Sequence, residues 1–468
     1  MPSYRTAGAS VTFRQVLNGF VQADDLPFRD VLTEAQIERA AAAEHVSFGT
    51  RADDVYSVPM TLWAFIAQVV SSPKSCVAAV ARVLVLLTAL GRRACHAGTG
   101  AYCKARAKIP ETFLRRLVST VSQQLEAETP FDWRWHGRVV KLVDGSTLSA
   151  PDTRANQAAY PQSRSQRPGI GFPLLRWVAL VSLATGAVFD SAFGPWRGKQ
   201  TGETALFRTL LDGLQRGEVL VADRYYCSYW MVALAQLRGV HVVFRQHHLR
   251  HTDFRRGQRL GRHDHIVTWT KPARPKWMDA ETYAALPATL TLRELRGKVT
   301  TPGCRVQELI VVTTFLDDNA FPVEDILELY HQRWHVEIDL RSIKTHMKME
   351  VLSCKTPEMV RKEIWAHLLA YNLVRKVIAQ AAQQHEVTPR ELSFAGAMQT
   401  LNEFRPLLLT VTDEELAELS DRILAAIASH RVGDRPNRVE PRKIKRRPKG
   451  YSRLLVPRAQ ERATLLGN

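Results

Sequence analysis

The chain is short of several things, and each shortage closes a class of function. Six cysteines (Cys76, Cys95, Cys103, Cys227, Cys304 and Cys354) are scattered over 468 residues with no CxxC pair. That spacing speaks against a disulfide scaffold or a zinc ribbon and fits reduced thiols in a cytosolic protein. Long apolar runs are missing too. The most apolar one, Cys76 to Leu90, is shorter than the roughly 20 residues of a membrane span and is interrupted by Arg82, so it reads as a buried helix. The opening MPSYRTAGASVTFRQ has no apolar stretch after its positive charge, so no secretory signal is expected. No internal repeat is visible. Acid is also scarce: 46 Asp+Glu face 64 Lys+Arg, a formal net charge of +18.

What is present has an ordinary globular composition, 45% hydrophobic and 24% charged, which excludes a disordered or collagen-like chain. The length suits roughly two to four domains with real cores. A surplus of this size points to a polyanionic partner, nucleic acid ahead of anionic membrane, and the lack of a span removes the membrane.

Residues 11 to about 130 read as helical, with three-to-four spacing in EAQIERAAAAEHV and ETFLRRLVSTVSQQLE. Near Phe131 the pattern changes. RVVKLVDGST is a strand pattern ending in an Asp-Gly turn, and LLRWVALVSLATGAVFDSAFG is a hairpin around Thr185-Gly186. A helix (GETALFRTLLDGLQRG), a short buried strand (EVLVADRYY), a helix (YWMVALAQLRG) and a strand (HVVFRQ) follow. Three strands, helix, strand, helix, strand is the order of a mixed α/β sheet with helices on its faces. The expected division is 1–130 helical, 131–246 first part of the sheet core, 247–318 a β-rich insertion, 319–385 second part of the core, and 386–468 helices with a basic tail. Pro322, Glu324 and Asp325 suit the start of a long helix, VEDILELYHQRWHVEIDLRSIKTHMKME, and EMVRKEIWAHLLAYNLVRKVIAQAAQQH gives another. From Arg431 onward periodicity is lost.

Two aspartates stand where chemistry is usually found in such sheets. Asp144 ends the first strand and Asp223 ends the later one, and residues at the carboxyl ends of strands line the ligand crevice. Either alone is more simply a turn residue. The long helix adds weight. Tyr330, Arg333, Glu337 and Lys344 lie at relative positions 0, 3, 7 and 14. At about 100° per residue they fall within roughly 60° of one face. The plain alternative is a solvated face with an i,i+4 ion pair. Phosphodiester cleavage has a use for the fuller set. Three carboxylates from separate elements can hold two divalent cations, with cations and a hydroxyl beside them for the phosphate.

Those residues carry a resemblance. The chain resembles the bacterial DDE transposases of the insertion-sequence-four family, whose signature Y-x2-R-x3-E-x6-K is matched by Tyr330, Arg333, Glu337 and Lys344. DGST around Asp144 and ADRYYCS around Asp223 look like that family's two aspartate motifs. The resemblance implies an RNase H-like core with a β-strand insertion. Asp144, Asp223 and Glu337 would be the catalytic, metal-binding triad for two Mg²⁺ ions (Mn²⁺ substituting). Tyr330, Arg333 and Lys344 would contact phosphates. The implied partners are double-stranded DNA, as element ends and target, and a second copy in a DNA-bound homodimer, with no small-molecule cofactor. Cut-and-paste transposition through a hairpin is implied, with a flipped base stacked on an aromatic. Trp269 and Trp277 are candidates for it, although a core or surface tryptophan is the commoner role.

Weaker signals surround this set. Five histidines lie between His247 and His265 with Arg250, Arg255, Arg256, Arg259 and Arg262 among them. No metal-binding His spacing supports a site there, so a phosphate-facing loop fits better. Lys104, Arg106 and Lys108 suit DNA backbone or a solvated face equally. Asp152 is a rival first carboxylate, set in a loop. Arg431–Arg458 includes Arg442, Lys443, Lys445, Arg446 and Arg447 and has too little apolar content to fold alone, which suits an arm along DNA. Two other functions fit the same residues in part: a structure-selective nuclease on the same core, and a DNA-binding regulator that needs no triad.

Overall fold

The computed structural model describes residues 32–51, 53–71, 73–89, 92, 95–299, 307–408, 413–433 and 454–466. In chain order the helices are α1 (Glu34–Ala43), α2 (Val58–Val70), α3 (Cys76–Ala89), α4 (Gly100–Lys108), α5 (Glu111–Ala127), α6 (Arg154–Ala159), α7 (Glu203–Arg208), α8 (Tyr229–Leu237), α9 (Ala280–Ala285), α10 (Val323–His331), α11 (Trp334–Arg341), α12 (Pro357–Gln384), α13 (Phe394–Leu408), α14 (Asp413–Ser429) and α15 (Arg458–Leu465). The strands are β1 (Val140–Ser149), β2 (Leu174–Ser182), β3 (Val188–Pro195), β4 (Val219–Ala222), β5 (His241–Arg245), β6 (Gln258–Gly261), β7 (Asp264–Thr270), β8 (Thr289–Val299) and β9 (Gln307–Thr313). They form two compact units. The first is Met1–Trp133, Ala184–Asp190 and Asp339–Val432, and the second is Arg134–Leu183, Ser191–Ile338 and Gly433–Asn468.

The first unit is built on α12, which is buried almost all round along most of its length, charged residues such as Lys362, Glu363 and Arg375 included. Its Ile364, Trp365, Leu368 and Tyr371 belong to the same core as Phe113, Leu117 and Val121 of α5. Asn372 shows how a polar residue is accommodated there. Its Oδ1 accepts from the Val188 amide at 2.8 Å, and its Nδ2 donates to the Val188 carbonyl at 2.7 Å. Asp339, fully buried, is held by the guanidinium groups of Arg375 and Arg390 and by the Tyr371 hydroxyl. A buried carboxylate needs such partners to remain charged. Two expectations are corrected here. α3 buries one face only: Val77 and Val85 are 66% and 69% exposed, because helical spacing turns them away from Ala79, Val83 and Leu87. Arg106 is not a surface cation. It donates to Gln68 at 2.7 Å and lies over the Phe65 ring, inside the helical core.

The second unit is organised by a nine-stranded sheet, order β3-β2-β1-β4-β5-β9-β8-β7-β6. β1, β4 and β5 are parallel, and β2 runs antiparallel to β1. That half of the sheet has the strand order and directions of an RNase H-like core, which the resemblance implied; the strand pattern alone pointed to a mixed α/β sheet. The β-rich stretch after β5 adds β9, β8, β7 and β6 to the same sheet, all antiparallel. α10 is seated on β8 at Gly297, where a Cβ would come 2.0 Å from Leu327 Cδ1, so a larger residue there would have to displace that side chain. Its start is fixed by the stacked rings of Trp135 and Phe321 and by His136, 3.0 Å from Asp325. Near the end of the chain, Pro457 caps α15, so Arg458–Leu465 is helical where loss of periodicity was expected. Its residues RAQERATL are good helix formers without an apolar stripe. Arg442, Lys443, Lys445, Arg446, Arg447 and Cys304 lie outside the described residues.

Candidate active site

Asp144 lies inside β1 rather than at its end, and there is no Asp-Gly turn. It pairs with Ala179 of β2, and that ladder continues to Ser149 opposite Leu174. The local preference of Asp-Gly for a turn is overridden because β2 supplies backbone partners for the whole segment. On the other side, the parallel ladder with β4 stops at Leu142 opposite Val221. Two residues further along each chain stand Asp144 and Asp223, level in register where β1 and β4 part. The Gly145 amide donates to Asp144 Oδ1 at 2.8 Å. Asp223 follows the last β4 residue, as expected, and its Oδ1 accepts from the Tyr225 amide at 2.7 Å in an Asx-type turn.

The signature segment is not one helix. α10 ends at His331 and α11 begins at Trp334, with i→i−3 bonds from Arg333 to Tyr330 (3.1 Å) and from Val336 to Arg333 (3.1 Å) tightening the join. Beyond Arg341, Ser342–His346 is a π-helical turn. Angular counting from Tyr330 to Lys344 therefore fails. Lys344 falls in the first unit, where its Nζ lies 3.9 Å from Glu350. The other three signature residues share the second unit with both aspartates. Arg333 bridges two of the acids. Its Nη2 donates to Glu337 Oε1 at 2.7 Å, and its Nη1 lies 3.6 Å from Asp144 Oδ2. Tyr330 is buried beside it, its phenol held protonated chiefly by burial. Trp334, next along, is 53% exposed.

The Asp144 carboxyl is pushed up to about 6, first by burial and further by Glu337 and Asp223, against the opposing pull of the Gly145 amide and Arg333. Three acids thus share one field with one arginine. A second layer lies behind them, and nothing in the linear pattern marked it. Glu203, in the first turn of α7, pairs with Arg176 at 3.1 Å. It fills the space at Gly145, where a Cβ would come within 2.5 Å of its Cδ. The Tyr226 hydroxyl, fully buried, feels Glu203, Asp144 and Asp223 and has no hydrogen-bond partner among the described residues. The glycine after Asp144 was in plain view, but its reason is a contact across the fold.

The remaining candidates are spread over the second unit. Trp269 is 3% exposed, donates from Nε1 to Glu294 at 2.9 Å and has Arg250 over its ring at 3.6 Å. It has the core role, with no face open to a base. Trp277 is half-buried under the Arg208 guanidinium at 3.8 Å. Arg255 and Arg256 are 90% and 84% exposed and share Asp253. His265 is buried, its ring nitrogens near the Arg256 carbonyl and Glu294. Asp152 is an exposed loop residue bonded to Gln157.

Among the described residues no three His, Cys, Asp or Glu side chains converge closely enough to enclose a metal ion. The donor set nonetheless fits one. Asp144, Asp223 and Glu337 offer hard oxygen ligands, and a cationic group, Arg333, already lies between two of them.

Residues 135–373 match the family model described as the transposase DDE domain. The chain belongs to this family. The transposase is 28% identical over 359 residues to the transposase InsG for insertion sequence element IS4 of Escherichia coli, covering 75% of this chain and 77% of that one. It is 31% identical over 88 residues to the probable transposase for insertion sequence element IS5377 of Geobacillus stearothermophilus, or 19% of this chain and 22% of that one. A cryo-EM structure of the piggyBac transposase synaptic complex with hairpin DNA aligns over 87% of this chain and 85% of that chain, with a TM-score of 0.40 and 10% identity. As a DDE transposase the chain is a metal-dependent enzyme of DNA cleavage and strand transfer. No helix among the described residues is long and apolar enough to cross a membrane.

Proposed function

We propose that Asp144, Asp223 and Glu337 are the catalytic carboxylates of a cut-and-paste transposase that binds the inverted repeats of its own element. The observation that carries this is the arginine bridge: Asp144 and Glu337, from separate elements, hold a cation between them, with Asp223 level with Asp144 across β1 and β4. When bound, Mg²⁺ (two ions, replaceable by Mn²⁺) would activate the attacking hydroxyl and offset charge on the leaving oxygen. The three carboxylates would hold that cation charge. Arg333 presents a planar fork that suits a phosphate once its carboxylate partners are engaged elsewhere. Tyr330 is buried beside Arg333 and shares a side-chain hydrogen bond with it. Lys344, Arg255, Arg256 and the basic run from Arg442 to Arg447 serve as further phosphate contacts.

In this reading an end is nicked when water oxygen bonds to phosphorus as the P–O3′ bond breaks, leaving a 3′-OH on the element and a 5′-phosphate on the flank. The 3′-OH then attacks a phosphate and displaces another 3′-oxygen, on the opposite strand to form a hairpin or on target DNA to join it. Two protomers act on paired ends. The test uses a duplex carrying the element end with Mg²⁺. Wild type should nick at the transferred-strand boundary and yield joined donor–target DNA, and Asp144→Ala and Glu337→Ala should do neither. Hydrolysis without joining would make the protein a nuclease. Binding without any cleavage would make it a regulator.

A further inference from the structure

Strand transfer needs two DNA partners at one set of acids, and the second unit has basic surface on both sides of Asp144. In the sheet order the β6–β9 strands lie on the β5 side of β4, where α10 packs on β5 and β8 and from whose end Arg333 reaches Asp144, whereas β2 and β3 lie on the other side of β1. The loops on that far side are 161–173, between β1 and β2, and 196–202, after β3. They carry Arg164, Arg167, Arg197 and Lys199 and no acid. All four are exposed, and none has an ion-pair partner among the described residues. Arg164 and Arg197 line one open cleft of about 550 Å³. Asp152, on its wall, is engaged by Gln157.

These loops are organised. Gln162 Oε1 accepts from the amides of Gly169 (3.0 Å) and Gly171 (3.1 Å), and its Nε2 donates to the Arg167 carbonyl at 2.8 Å. One side chain therefore fixes the whole turn with its arginines outward. The other loop starts beside it, because the Trp196 amide donates at 3.1 Å to the carbonyl of Leu174, the β2 residue that follows the first loop. Two aromatics stand among the cations: Phe172 is 61% exposed, and Trp196 is 36% exposed with Arg176 over its ring at 4.3 Å. Exposed cations without neighbouring acid in their loops, on a fixed surface, are the electrostatic footprint of a duplex phosphate backbone. Both loops open at the edge of the sheet where β1 continues past Asp144, and the second leads directly into Glu203, packed on Gly145. The described chain also resumes here after its basic run, with Leu454 and Leu455 beside Gln166 and Arg167.

We propose that these two loops form a second DNA-binding surface that takes the target duplex by its phosphates, opposite the element end held on the Arg333 side. This rests on the transposase reading of Asp144, Asp223 and Glu337. Two double variants of the full chain test it: Arg164→Glu with Arg167→Glu, and Arg197→Glu with Lys199→Glu. Three readouts are compared: nicking of an element-end duplex, joining of a pre-nicked end to a plasmid, and salt-dependent binding of a generic duplex. Joining should fall about tenfold or more, with nicking within about twofold. The slope of log affinity on log salt for the generic duplex should shrink by about 2 for each double variant. Arg164→Lys with Arg197→Lys keeps the charge and should bind the generic duplex like wild type.

Unchanged joining and an unchanged salt slope would overturn the proposal. So would nicking that falls in step with joining, which would assign the loops to the element end, or lysine variants as weak as the glutamates. Failure of the active-site reading looks different. It would show as Asp144→Ala still nicking, and the generic-duplex measurement would still decide the loops.

Discussion

Asp144→Asn should make the metal-free protein more stable at neutral pH while abolishing its chemistry. Burial and two neighbouring acids raise the Asp144 carboxyl from 3.8 to about 6. A rise of roughly two units corresponds to about 3 kcal/mol. The side chain is only 20% exposed, so screening removes little of it, and about 2–3 kcal/mol is the working magnitude. The folded state holds this proton more tightly than the unfolded state. The contribution to stability is therefore complete below about pH 4 and is lost as pH rises through about 6. Above that, a charged Asp144 is a standing cost. Asparagine has the same shape, keeps an oxygen for the Gly145 amide and carries no charge. With a chelator at pH 8 its unfolding midpoint should rise by roughly 2–4 °C per kcal/mol, and at pH 4 the two proteins should coincide. Adding Mg²⁺ should narrow or reverse the difference, because a cation that binds only the folded carboxylates stabilises wild type. An Asn variant less stable than wild type at pH 8, or a gain equal at pH 4 and pH 8, would refute the reasoning.

Three further outcomes follow from the site. Arg333→Lys keeps a charge but cannot span Asp144 and Glu337 together, so nicking should fall by about 10-fold or more in kcat, and Arg333→Ala should fall further; equal activity in the two variants would show that only charge matters. Gly145→Ala puts a Cβ 2.5 Å from Glu203 and must push that carboxyl away from Arg176; cleavage should drop while circular dichroism stays native, and unchanged cleavage would remove Glu203 from the account. Trp269→Ala should cost about 3–5 kcal/mol of stability, read in urea unfolding, because it empties a buried site and removes the donor to Glu294 Oε1. Trp269→Phe should keep excision intact, which a base-stacking tryptophan would not allow.

Much of the core was legible because its physics is local. Apolar runs on either side of Thr185-Gly186 marked β2 and β3 as a hairpin, a short buried run marked β4, and Pro322 with Glu324 and Asp325 marked the start of α10. The break between α10 and α11 was not. Gln332 and Arg333 include neither glycine nor proline, so nothing local stops the helix. In the fold, Arg333 reaches Glu337 and Asp144 from a tightened turn, a tertiary demand that periodicity cannot register. The same holds for Asp144 itself. Its dipeptide reads as a turn, and only the partner strand β2 shows that the backbone runs straight on.

The site divides along the same line. The proposed catalytic positions, Asp144, Asp223, Arg333 and Glu337, could be named from the chain alone, because the chemistry asked of them fixes their types. Glu203, Arg176 and Tyr226 support those positions from distant segments, and no spacing relates them. Yet they bear on the acids directly. Glu203 is paired with Arg176, and the acids of the bridge with Arg333, so both of these acidic groups carry an arginine. An arginine so placed holds carboxylates near one another at neutral pH, at a point where repulsion would otherwise raise their pKa values or spread them apart. It is also the group that must change partners when a phosphate arrives. Local charge balance, rather than the overall surplus of +18, keeps the acids poised where cations can take over from Arg333.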